Sequence, residues 1–108
     1  MRIFLDTADP IEIRRAADAG LIDGVTTNPS LLAQVAKERE PSDIFKEICQ
    51  TVDGPVSAEV VALDAEGMIE QGKRLYEIAD NIVIKVPLTE EGLVACRALT
   101  NTGIPVNV

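Results

Sequence analysis

The chain of 108 residues and 11.6 kDa is 46% hydrophobic, 26% charged and 3% aromatic, which excludes a disordered, collagenous or fibrous protein and bounds it as one globular unit. Its 18 acidic and 10 basic residues leave a formal charge of -8, and the basic residues stand singly or in pairs such as Arg14-Arg15 and Lys73-Arg74, which argues against a nucleic-acid partner. Surface scaling gives roughly 5,800 Å² folded against roughly 16,800 Å² unfolded, enough burial for a real core; with no Trp, one Tyr and two Phe that core must be aliphatic.

Short β-branched runs bounded by turn residues alternate with stretches of helical period, the pattern of βα units on a parallel sheet. Five strands are predicted, at 3–5, 24–27, 55–60, 82–86 and 104–108, joined by four crossovers. Their nearly continuous apolar character predicts burial on both faces. The first helix begins near Asp9, which can cap it, with Pro10 in the first position and Gly20 as its stop. A short helical piece follows at 31–35, with Ser30 as its cap, and the polar stretch 36–41 reads as an exposed loop. Ile44, Ile48 and Val52 give the second crossover an apolar face. Ala65, Met68, Gly72, Leu75 and Ala79 do so for the third, with Asp64 as the cap candidate. Thr89 caps the fourth, Glu90 and Glu91 sit in its first turn where carboxylates favour the helix dipole, and Gly103 closes it.

Cys49 and Cys96 are far apart in a chain with no His, so neither a zinc knuckle nor a redox dithiol is spelled out. Two reduced, helix-borne thiols in a cytoplasmic protein are expected instead. The N-terminus lacks a basic leader region and no apolar run approaches the ~20 residues of a membrane span, so neither export nor a membrane partner is expected.

In a parallel α/β barrel the chemistry sits where strands end, and all five strands end in polar groups. These are Asp6; Thr26, Thr27 and Asn28; Glu59; Lys85; and Asn107. Alternation pairs Phe4 with Asp6, Thr26 with Asn28, Ser57 with Glu59, Val83 with Lys85 and Pro105 with Asn107, each pair on one face. Lys85 is the most informative, because it interrupts an otherwise apolar run and a lysine is costly to bury. Desolvation disfavours its ammonium form and makes the amine nucleophilic enough to form a Schiff base with a carbonyl. The other reading is a buried ion pair with Asp6 or Glu59. Those two acids could equally supply the proton transfers of Schiff-base chemistry, or act as a loop cap and a lysine partner. Asn28 and the Thr26-Thr27 hydroxyls could be only a strand exit held extended by Pro29, or donors for a polyol converging beside the lysine. No glycine-rich phosphate loop is present.

Gly24-Val25-Thr26-Thr27-Asn28-Pro29-Ser30-Leu31-Leu32 resembles the first signature segment of transaldolases, and Ile82-Val83-Ile84-Lys85-Val86-Pro87-Leu88-Thr89-Glu90-Glu91-Gly92-Leu93 resembles their active-site lysine segment. Phe4-Leu5-Asp6-Thr7-Ala8, Ser57-Ala58-Glu59-Val60 and Val106-Asn107-Val108 fit the same family, in order and along the whole chain. The nearest subgroup is the short transaldolase and fructose-6-phosphate aldolase type. The resemblance implies a (β/α)8 TIM-barrel fold. It also implies that Lys85 forms the Schiff base, that Asp6 handles the hydroxyl proton during carbon-carbon cleavage, and that Glu59 serves the water and imine steps. Asn28 and Asn107 would hydrogen-bond the donor's hydroxyls, with Thr26 in support. The reaction implied is transfer of a dihydroxyacetone unit from fructose 6-phosphate or sedoheptulose 7-phosphate to an aldose phosphate, in the pentose phosphate route, without metal or organic cofactor. The aldolases resemble a Gln at the strand-three position, so Glu59 favours transfer over simple aldol cleavage.

Length is the departure. A complete barrel of this kind takes about 250 residues, so residues 1–108 are expected to be an N-terminal half-barrel, about four βα units plus strand five. The threonine expected after Val108, and the later serine and arginine groups for the substrate phosphate, have no counterpart. Activity is therefore expected to be impaired, and open strand edges predict a homo-oligomer or a non-catalytic assembly module.

Overall fold

Side-chain oxygens at the predicted caps start three of the helices in the computed structural model, which describes residues 1–37 and 39–108. Asp9 accepts from the Ile11 amide at 3.0 Å and Pro10 opens α1 (Pro10–Asp18). Asp64 accepts from the Gly67 amide at 2.9 Å to start α4 (Ala65–Tyr76), and Thr89 accepts from the Gly92 amide at 3.0 Å to start α5 (Glu90–Asn101). Each takes up one of the four amides that a helix start leaves without an internal partner. Gly20 and Gly103, read as stops, both take the left-handed conformation, with φ of +69° and +83°.

The second crossover holds two helices, α2 (Pro29–Val35) and α3 (Pro41–Thr51). The cap of α2 is Asn28, whose Oδ1 accepts from the Leu31 amide at 2.9 Å, so the expectation that Ser30 is the cap is corrected. Pro29 supplies the preset φ of a first helical residue, and Ser30 lies inside the first turn. In the stretch read as an exposed loop, Lys37, Arg39 and Glu40 are exposed, while Glu38 lies outside the described residues.

The strands are β1 (Phe4–Asp6), β2 (Gly24–Thr26), β3 (Val56–Glu59), β4 (Ile82–Lys85) and β5 (Val106–Asn107). They form one parallel sheet in chain order, β1-β2-β3-β4-β5. Because every step runs in the same direction, crossovers of one hand place all the helices on one face of the sheet. Burial agrees with this: Val25, Val56, Ala58, Ile82 and Ile84 are fully buried beneath α1, α3, α4 and α5 together with Ile13, Ile44, Ile48 and Leu99. The molecule is a slab of 39 × 34 × 21 Å, its short dimension that of one helix layer on one sheet.

Strand burial on both faces, expected from the apolar runs, does not hold. The face turned away from the helices carries Phe4 (42% exposed), half-buried Thr26, Glu59, Val83 and Lys85, and exposed Asp6, Pro105 and Asn107; only Ser57 and Gly24 are buried there. Among the described residues nothing covers it. The accessible surface is 6540 Å², about a tenth more than the roughly 5,800 Å² of a closed domain of this mass.

Candidate active site

Sheet register fixes the relative heights of the polar residues on the open face. Asp6 is aligned with Thr26, and Thr26 with Ser57, in one row. Glu59, Lys85 and Asn107 are aligned in the next row on the same face. Rows two residues apart on a parallel strand differ by about 6.6 Å, so Asp6 sits one step deeper than the Glu59-Lys85-Asn107 row. Asn28, two residues beyond Thr26, belongs to the upper level. The ladder extends past the strand ends and pins these backbones. The amides of Thr7, Val60 and Val86 donate to the carbonyls of Thr26, Lys85 and Asn107 at 3.0–3.1 Å.

The side chains divide into tethered and free. Thr26 Oγ1 donates to Asp6 Oδ1 at 3.0 Å, which fixes one carboxylate oxygen and leaves the other available. Asn28 uses its oxygen on the Leu31 amide, so its Nδ2 donors remain for a ligand. Asn107 Nδ2 donates to the buried Ser57 Oγ at 3.4 Å, a long bond that crosses β4 between Val83 and Lys85. Thr27 does not join this group: it is 1% exposed, belongs to the helix-facing side, and donates to the Ser57 carbonyl at 2.8 Å. Of the hydroxyl pair expected beside the lysine, only Thr26 shares its face.

Lys85 is half-buried rather than sealed, because its face is open. The ion pairs among the described residues are Arg39–Glu47 at 2.6 Å and Glu70–Arg74 at 3.9 Å, so neither Asp6 nor Glu59 is in ion-pair contact with it. The buried ion-pair reading is thereby corrected. Glu59 lies beside Lys85 in register and, with Asn28, lines a cavity of about 220 Å³ whose apolar wall includes Leu32, Phe45 and Leu75. Lys85, without an ion-pair partner among the described residues, has the Glu59 carboxylate on the neighbouring strand in its own row, while Asp6 stands one row below and three strands away on β1. Such an amine can attack a carbonyl, with Glu59 the nearer carboxylate for proton transfer.

Three supports were not legible in the sequence. Gln71 of α4 reaches back so that its Oε1 accepts from the Val61 and Ala62 amides, at 2.9 and 3.2 Å, just after Glu59. Glu91 Oε2 accepts from the Ala65 amide at 2.6 Å, tying the first turn of α5 to that of α4. Gly92 allows the loop after Lys85 to fold back on α5, since a Cβ there would stand 1.9 Å from the Pro87 carbonyl oxygen.

Away from this edge, Cys49 in α3 and Cys96 in α5 are both free thiols. Burial, with the Asp80 carboxylate adding to it, pushes the Cys49 thiol up to about 11, so it stays protonated. Among the described residues no group of three or more His, Cys, Asp or Glu side chains is arranged to hold a metal ion, and no helix is long and apolar enough to cross a membrane.

The family model described as Transaldolase/Fructose-6-phosphate aldolase matches residues 3–108. The chain belongs to the transaldolase/fructose-6-phosphate aldolase family. Among its curated relatives, a "Probable transaldolase" of Geobacter sulfurreducens is 58% identical over 108 residues, with all of this chain and 50% of the relative covered. Proteins of the same name from Hyphomonas neptunium and Methanococcus maripaludis are 56% and 52% identical, with all of this chain and 49% of each relative covered. The chain spans about half the length of the curated relatives it matches. The family's fold is the TIM barrel, and five sequential parallel strands with helices on a single face are the arrangement of such a barrel's wall.

Proposed function

We propose that residues 1–108 form the N-terminal half of a transaldolase barrel and carry its Schiff-base machinery. The Lys85 amine attacks the carbonyl of a ketose phosphate, fructose 6-phosphate or sedoheptulose 7-phosphate, and the carbinolamine loses water to give an iminium. Asp6 takes the proton of the hydroxyl beside the bond that breaks. The aldose phosphate leaves, and a three-carbon dihydroxyacetone unit stays on Lys85 as the enamine. Addition to a second aldose phosphate reverses these steps with the proton returned from Asp6, and water releases the product ketose. Glu59 moves the protons of the water and imine steps. Asn28 and Asn107 hold donor hydroxyls, and Thr26 acts through Asp6. Each step balances without a metal or organic cofactor, in a cytoplasmic setting within the pentose phosphate route.

The observation that carries this reading is the Lys85 amine without an ion-pair partner among the described residues, in register with Glu59 and Asn107 at the strand ends. Glu59 in place of the glutamine that the aldolases resemble favours transfer over release. The test is a completed barrel in which this sequence replaces the corresponding half of the Geobacter sulfurreducens relative. Transfer to erythrose 4-phosphate should exceed release of free dihydroxyacetone, and Lys85→Arg, which keeps charge but forms no imine, should abolish both. Turnover retained by Lys85→Arg sinks the mechanism.

A second reading has an observation of its own. Among the described residues β1 pairs only with β2 and β5 only with β4, and Phe4, Leu93 and Val94 are exposed on the open sheet face and α5. These edges and surfaces suit pairing with another copy or with a complementary half-barrel. Sedimentation showing a compact, non-associating monomer refutes it.

A further inference from the structure

We infer that Gln71 is the positioning residue for Glu59, an inference that rests on the role proposed for Glu59 above. Four of the amides between β3 and the first residue of α4 find acceptors in other elements. The Val60 amide donates to the Lys85 carbonyl at 3.1 Å, continuing the sheet ladder. The next two, Val61 and Ala62, lie beyond the β3–β4 register, which ends at Glu59 and Lys85. Both donate to Gln71 Oε1, at 2.9 and 3.2 Å. The fourth, Ala65, donates to Glu91 Oε2. One glutamine oxygen thus accepts from both residues that follow the Glu59-Val60 step, and so sets where the chain leaves the sheet and at what height the Glu59 carboxylate stands beside Lys85.

The orientation of the amide group is forced. Two backbone N–H donors require an acceptor, so Oε1 faces the loop, and Nε2 makes no hydrogen bond among the described residues. Gln71 also lines the cavity of about 220 Å³ that Glu59 and Asn28 border; Leu32, Phe45 and Leu75 in its wall offer no substitute acceptor, and the Thr27 hydroxyl there is already bonded to the Ser57 carbonyl at 2.8 Å. Loss of Oε1 would leave the Val61 and Ala62 amides without protein partners, and the loop would drift. The sequence gap of nine and ten residues between the partners sets this apart from a local cap. It couples the second turn of α4 to the strand end, so that packing of α4 is transmitted to the carboxylate.

The test uses the chain as it stands, with ¹⁵N and ¹³C labels, and three proteins: wild type, Gln71→Leu and Gln71→Glu. Gln71→Leu keeps the apolar body and removes the acceptor; Gln71→Glu keeps an acceptor oxygen. Exchange of the Val61 and Ala62 amides should quicken roughly tenfold in Gln71→Leu and return to the wild-type rate in Gln71→Glu, while the Ile84 and Val86 amides stay unchanged as internal references. The ¹³Cδ resonance of Glu59 should move in Gln71→Leu and be restored in Gln71→Glu. With fructose 6-phosphate and borohydride, Gln71→Leu should lower the maximal rate of adduct formation at Lys85 at least fivefold without changing the sugar concentration that half-saturates it, because Gln71 touches no substrate. Unchanged exchange at Val61 and Ala62, or an unmoved Glu59 resonance, overturns the inference. Where the wild-type chain alone forms no adduct, the same three residues at position 71 are compared in the completed barrel, whose failure to form one counts against the proposed function instead, while the two spectroscopic readouts decide for or against Gln71.

Discussion

Gly92→Ala opposes two physical effects of opposite sign. In an ordinary helix interior the substitution gains about 1 kcal/mol, since alanine loses less backbone entropy than glycine. At position 92 the new Cβ would lie 1.9 Å from the Pro87 carbonyl oxygen and 3.2 Å from Thr89 Oγ1. The carbonyl is backbone and cannot swing aside, so the first turn of α5 must move by about 1 Å, a distortion at the upper end of the ~1–3 kcal/mol range for overpacking. That movement also strains the 3.0 Å bond from the Gly92 amide to Thr89 Oγ1, and a lost cap costs about 1 kcal/mol. The net is a destabilisation of about 3 kcal/mol. With an unfolding entropy of about 2.1 cal/mol/K per residue, a chain of 108 residues should lose roughly 13 °C in Tm. Thermal unfolding followed by circular dichroism measures it, and urea titration checks the free energy. Gly103→Ala is the control: nothing lies within 4 Å of a Cβ there, so only the positive φ of +83° is penalised, at about 1–2 kcal/mol. A Gly92→Ala midpoint equal to or above wild type refutes the reasoning.

Other consequences are equally measurable. Asn81 Nδ2 lies 3.0–3.2 Å from the carbonyls of Cys49, Val52 and Gly54, closing the turn between α3 and β3; Asn81→Ala should cost about 2 kcal/mol in urea unfolding, and a loss under 0.5 kcal/mol argues that water replaces the bonds. The Cys49 thiol, raised from 9.0 to about 11 in the folded chain, gives stability that is full below pH 9 and falls as pH rises to about 11, because the unfolded thiol ionises first. That window should span about 3 kcal/mol, and Cys49→Ala should flatten its share of the slope; identical slopes in the two proteins contradict the burial argument. Glu91→Ala frees the Ala65 amide, whose exchange should quicken severalfold while Tm changes by only a few degrees, since the carboxylate is exposed; unchanged Ala65 exchange counts against the link between α4 and α5.

Local chemistry explains which parts were legible in advance. Asp9, Asp64 and Thr89 each place a hydroxyl or carboxylate just ahead of a helical period, and each is a cap. For Asn28 the sequence offers a residue held extended before Pro29 and a donor to a polyol, but not a helix cap. Its φ of -145° and ψ of 167° are indeed extended, but extended is also the cap conformation, and proline in the first helical position makes its predecessor the cap. The strand-end residues were legible because period-two alternation fixes which side chains share a face. Burial of the second face was not, since an apolar run records what a strand can cover and not what lies over it. Gln71, Asn81 and Glu91 act on backbone groups 9 to 32 residues away, and no local pattern marks such partners. Their common signal is an uncapped loop amide or carbonyl at a helix end, which requires the fold before it can be seen.

The most direct test of Lys85 as the imine-forming amine is to incubate the folded chain and the completed barrel with fructose 6-phosphate, reduce with borohydride, and map the adduct by peptide mass spectrometry. A three-carbon or six-carbon adduct confined to Lys85, absent from Lys37, Lys46 and Lys73, is the expected result. A completed barrel that turns over substrate yet leaves Lys85 unmodified, or an adduct spread evenly over the four lysines, would contradict it.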